Sequence, residues 1–138
     1  MDRVDLQILA DARVADTHAL PHGERWAAAY YLLGYAVECA LKACAAKRFR
    51  EHMVPDKSLV NDFYTHSLDK LLIISSLQAA LESRTAADPL FEMNWDIVRD
   101  WSEASRYDHS TTESQAREML AAVTSPSSGV LPWLKTQW

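Results

Sequence analysis

The sequence predicts an all-α protein, an antiparallel up-and-down bundle of about five helices in a single domain spanning residues 1–138. Three observations carry this. Apolar residues recur at steps of three and four along several blocks, no convincing alternating strand pattern occurs, and the five prolines, at positions 21, 55, 89, 126 and 132, fall between the periodic blocks. Apolar residues make up 49% of the chain and charged residues 24%, with only three glycines, so an ordinary globular core is expected rather than a disordered or fibrous chain.

The first block, from Asp2 to Ala19, places Ile8, Leu9, Ala12, Ala15 and Ala19 on one stripe and is expected to stop at Pro21, His22 and Gly23. The second helix should run from about Glu24 to Glu51, with Tyr30, Leu33, Gly34, Val37, Leu41 and Cys44 on a packed face. A glycine inside a helix lowers its propensity by about 1 kcal/mol relative to alanine, so Gly34 implies close approach of a neighbouring element. The segment Ala28–Phe49 carries Glu38 and Lys42 in its middle. From Trp26 only twelve residues pass before Glu38, too few for a membrane span of about twenty apolar residues.

Pro55, Asp56, Asn61 and Asp62 predict a loop with one short turn between Met53 and Tyr64. Thr65, His66 and Ser67 open a third helix whose stripe is Leu68, Leu71, Leu72, Ile74, Leu77 and Leu81, fading at Arg84. A fourth is expected from Pro89 to Tyr107, with Phe91, Trp95, Val98, Ser102 and Ser105 on one face and Trp101 beside it. Ser110 and Glu113 have the spacing of a capping box opening a fifth helix that buries Ala116, Met119, Leu120 and Val123. Residues 126–138 form a tail whose Val130, Leu131, Trp133, Leu134 and Trp138 are too apolar to stay free, so it docks on its own bundle or on a second subunit.

The formal net charge of -5 argues against a broad grip on a phosphate backbone. A local basic face at Lys42, Lys47, Arg48 and Arg50 reads as a solvated helix end that suits the dipole. Cys39 and Cys44 match neither a redox pair nor a zinc knuckle and read as reduced core thiols. The charged start MDRVDLQILADAR has no signal-peptide pattern, which makes the cytoplasm the expected location. The histidines lack metal-ligand spacing and there is no glycine-rich phosphate loop, so neither a metal nor a cofactor is expected.

Three stretches, YYLLGYAVECALKA, THSLDKLL and WSEASRYDHS, in that order, resemble the HEPN domains, small helical bundles often encoded beside minimal nucleotidyltransferases. The resemblance covers most of the chain. It implies a homodimer that binds a nucleotide, RNA or a nucleotidyltransferase partner protein in a toxin–antitoxin or stress-response setting. Many members of the family are metal-independent RNases that use an Arg, a short spacer and a His near the end of the bundle. Here Arg106 and His109 stand near that place with only Tyr107 and Asp108 between them, a shorter spacing than the family's. The literal spacing occurs at Arg13 and His18, in the first helix, where the family does not keep its site.

The candidate catalytic pair is therefore Arg106 and His109: a base for the ribose 2′-hydroxyl and a cation for the phosphate charge. Candidate ligand-binding residues are Glu38, Lys42, Tyr107 and Ser102. A carboxylate on a buried helix face needs a cation or several donors, and two sources are open for Glu38: Arg106 arriving from another part of the bundle, or Lys42 one turn on. A metal-independent RNase and a purely structural dimer are the competing readings.

Overall fold

The computed structural model describes residues 1–19, 25–52 and 57–138, and every regular element in them is helical. In chain order these are α1 (Arg3–Ala19), α2 (Trp26–His52), α3 (Lys57–Phe63), α4 (Leu68–Ile74), α5 (Gln78–Ala87), α6 (Pro89–Arg99), a 3-10 helix (Glu103–Tyr107), α7 (Glu113–Thr124) and α8 (Val130–Lys135). The turns expected at Pro21, His22 and Gly23 and at Pro55 and Asp56 lie outside the described residues, as do the side chains of Ala19 and Arg50. None of the described helices is long and apolar enough to cross a membrane.

The organising element is α2, which packs against α1, α4, α7, α8 and the 3-10 helix. Leu33, Ala36, Val37, Ala40, Leu41, Ala43, Cys44 and Ala45 are all buried, as expected of a helix that is apolar around most of its circumference. Gly34 supports the closest approach. A Cβ there would collide with the ring of Trp101, so the indole lies flat on the glycine and pins the segment after α6 to α2.

Several local expectations need correction, beginning with Lys57–Phe63, expected as part of a loop, which forms the helix α3. On α1 the buried positions are Leu6 and Ala10, while Ile8 and Ala15 face solvent; the helix is rotated from the expected stripe by the wall it meets on α2. The third expected helix is two. Ser76 adopts a left-handed φ of 56°, and the Ser76 and Leu77 amides donate back to the Ile73 and Leu72 carbonyls, a Schellman ending with serine in the place glycine usually takes. The Ser75 hydroxyl and the Arg48 guanidinium cover further carbonyls at that break, so Arg48 is a capping residue and not part of a solvated basic face.

The fourth expected helix ends at Arg99, and the chain resumes as the 3-10 helix after Ser102. Asp88 caps α6 by accepting from the Leu90 and Phe91 amides, with Pro89 in the first turn. The capping box of α7 is formed by Thr112 and Gln115, two residues beyond the expected Ser110, whose amide and hydroxyl instead bind Asp108. The tail docks on its own chain: Val130, Leu131, Trp133 and Leu134 are buried, and Trp133 meets Phe91 edge-on at 5.3 Å.

Candidate functional site

Among the described residues one charged side chain nearly vanishes from solvent, Glu38, at 1% exposure. Two donors meet its Oε1. Lys42, one turn along α2, donates from Nζ at 2.8 Å, and the His66 ring reaches the same oxygen through Nδ1 at 3.0 Å. His66 is carried there by the turn before α4, where the Ser67 hydroxyl accepts from the Lys70 amide and the Thr65 hydroxyl from the Ser67 amide. These short-range bonds fix the entry to the helix and hence the ring's position.

The other face of the ring leads outward. His66 Nε2 lies 3.2 Å from Glu103 Oε2, and Glu103 Oε1 lies 3.2 Å from Arg106 Nη1. The result is a line of five charged or ionisable groups, Lys42, Glu38, His66, Glu103 and Arg106, running from the core to the surface. An imidazole satisfies two carboxylates at once only when both of its nitrogens carry protons. The line ties α2, α4 and the 3-10 helix together, the same three elements whose sequences carried the family resemblance.

The candidate residues separate accordingly. Lys42 joins Glu38 directly, whereas the contact expected from Arg106 is made through His66 and Glu103. His66, read from the sequence as a turn residue, is the histidine in the cluster; the signal was its place beside Thr65 and Ser67, whose hydroxyls order the turn that aims the ring. Arg106 lies over the Tyr107 ring at 4.7 Å, and Tyr107 is exposed. Tyr107 and then Glu103 push the Arg106 pKa further up, so its charge is permanent.

His109 is exposed in the following loop, and no hydrogen bond or ion pair engages its ring among the described contacts. The fourth helix ends at Arg99 and the 3-10 helix at Tyr107, so Arg106 and His109 share no helical face. Ser102 is exposed and caps nothing with its side chain; it lines a separate recess with Tyr30, Asp100 and Asp108. Arg13 pairs with Asp16 and His18 is exposed, so the literal motif in α1 assembles no site.

Two further groups border Glu38. The Cys39 thiol is pushed up to about 11 by burial and then by the Glu38 charge, and Tyr35 is raised by burial, Cys39 and Glu38. Cys39 is therefore a neutral thiol at neutral pH, unsuited to nucleophilic work. Among the described residues no group of His, Cys, Asp and Glu has the arrangement of a metal centre. In comparisons with known proteins, no family model, curated protein or solved structure matches the chain.

Proposed function

We propose that the chain is a HEPN-like module that acts as a dimer and receives a phosphate group of a nucleotide or RNA between Arg106 and His66, in a toxin–antitoxin or stress-response setting. One observation carries the reading: two nitrogen donors on different elements, His66 Nε2 and Arg106 Nη1, converge on a single carboxylate, Glu103, at 3.2 Å each. Donors spaced to share a carboxylate are also spaced for two oxygens of a phosphate. Glu103 then holds the site closed until an anion replaces it. The acidic chain makes this a local grip rather than a long electrostatic one. Leu90 and Met93 on α6 and, separately, Tyr107 on the 3-10 helix are exposed at 51%, 62% and 68%, apolar surface available to a second subunit or a nucleotidyltransferase partner.

Fluorescence anisotropy with a short labelled RNA tests the reading. Glu103→Gln removes the internal competitor and should tighten binding, while Arg106→Ala should weaken it about tenfold, the order expected for a charged hydrogen bond. Equal affinity across all three proteins would overturn it.

A second reading, cleavage of RNA, is favoured by the Glu38–His66 bond. In the tautomer protonated on Nδ1 alone, the buried carboxylate orients the imidazole so that Nε2, released from Glu103, can take the proton of a 2′-hydroxyl, with Arg106 on the phosphate. RNA integrity followed beside His66→Ala, His109→Ala and Arg106→Ala decides it: loss with His66→Ala assigns the base to the turn before α4, and loss with His109→Ala alone assigns it to the pair the resemblance implies.

A further inference from the structure

Glu38 is bonded through one oxygen only. Oε1 receives both Lys42 and His66, while Oε2 is buried and has no hydrogen-bond partner. A buried charged oxygen without a donor is costly, and such an orphan calls for a missing partner. Glu38 also lines a cleft of about 310 Å³ between α1, α2 and the end of α3, whose walls include Leu6, Leu9, Tyr35, Phe63 and Tyr64. That is the small end of the range for ligand pockets, about 300 Å³ and upward, and the lining combines apolar and aromatic surface with the Glu38–Lys42 pair and the neutral Cys39 thiol.

We infer that this cleft binds a flat aminated heteroaromatic ring, with the ring's exocyclic N–H donating to Glu38 Oε2. The ring is favoured because Tyr35, Phe63 and Tyr64 offer aromatic faces and edges, and stacking on such side chains is worth about 1–3 kcal/mol per base. An uncharged donor is favoured over a cation because Lys42, 2.8 Å from Oε1, already balances the carboxylate. A single free oxygen suits one amino group, as on adenine, rather than a paired donor edge. The inference takes its choice of ring from the nucleotide reading above, but it concerns a different place: the base beside α1, and not the phosphate at Arg106.

The test is titration of the whole chain with adenosine and with purine riboside, which lacks only the 6-amino group, followed by calorimetry and amide chemical shifts. Adenosine should bind at a single site and shift the amides around Tyr35, Cys39 and Phe63, with purine riboside at least tenfold weaker. Leu9→Trp, which fills the cleft from α1, should abolish adenosine binding, while Arg106→Ala should weaken RNA binding and leave adenosine binding unchanged. The two-nucleoside comparison needs no variant, so it stands even where Leu9→Trp fails to fold. A short oligoadenylate titrated in parallel separates a free nucleoside from a base in a strand, and either source satisfies the inference. Equal binding of the two nucleosides, tighter binding of benzylamine than of adenosine, or unchanged adenosine binding by Leu9→Trp would overturn it, and loss of RNA binding alone would not.

Discussion

Two polar clusters are built into this bundle, and they are finished differently. At the joint between α5, α6 and α8, the Ser128 hydroxyl donates to Asp88 at 2.8 Å, the Asn94 amide donates to the Ser128 carbonyl at 3.0 Å, and Arg84 pairs with Asp88 and donates to the Ser127 carbonyl. Asp88 caps α6 as well, so each oxygen of its carboxylate has a donor. Around Glu38 one oxygen takes two donors and the other takes none, and the line runs out to a half-exposed histidine and an exposed arginine. Arg84 Nε also lacks a partner in the first cluster, so the contrast lies in the carboxylates: one with donors on both oxygens fixes a fold, and one with an orphan oxygen is where a ligand gains something by arriving.

The strongest way to break the contrast is to unseat the element that holds one cluster together. Gly34→Ala places a methyl against the Trp101 ring, and overpacking a rigid aromatic contact should cost about 3 kcal/mol in chemical denaturation. It should also weaken RNA binding, because the 3-10 helix that bears Glu103 and Arg106 follows Trp101 directly. Unchanged stability would mean that the indole is not held as described.

Next in size is a matched pair of variants. Asn94→Ala leaves the buried Ser128 carbonyl without its donor and should cost about 2 kcal/mol with RNA affinity intact. His66→Ala, at a half-exposed side chain, should cost less than about 1 kcal/mol while reducing RNA affinity about tenfold. The reverse pattern would exchange the roles of the two clusters.

Smaller and slower effects appear with pH. The Asp88 carboxyl is held below the usual range by Ser128 and by the amides it caps, so its share of stability is present above the unfolded value near 4 and is lost as pH falls through the depressed one. Asp88→Asn should flatten that acid limb. Burial pushes Cys39 and Cys44 up to about 11 and about 12, so the native state keeps those protons longer than the unfolded chain, and stability falls as pH rises from about 9 toward them. Glu38→Gln should lower the Cys39 value, because the Glu38 charge is its second cause; Cys44, whose raised value owes nothing to Glu38, should not move.

The elements that sequence periodicity makes visible are those with long, one-sided patterns. The face of α2, the Phe91, Trp95 and Val98 stripe and the apolar tail were legible because their burial repeats at helical spacing. The breaks were not. Ser75 and Ser76 interrupt an unbroken leucine stripe with residues that helices tolerate, and only the Schellman bonds and the Arg48 cap show that the chain turns there. On α1 the one stripe read, through Ile8, Leu9, Ala12 and Ala15, differs from the positions buried against α2, Leu6 and Ala10. Glu38 was conspicuous as a charge in an apolar helix, and Lys42 followed from the four-residue step. Its second donor lies 28 residues on in a turn, and no local spacing announces a partner at that distance. Arg106 was singled out by resemblance, yet its link to Glu38 passes through two residues that the resemblance did not weigh.

The central claim is the bond between a buried carboxylate on α2 and the histidine at the start of α4. Nitrogen-15 correlation spectra of the histidine rings, recorded on the wild-type chain and on Glu38→Gln, test it most directly. A His66 Nδ1 proton that exchanges slowly in the wild type and is lost or strongly shifted in the variant is the result expected. A His66 ring that gives the same spectrum in both proteins, indistinguishable from exposed His109, would contradict it.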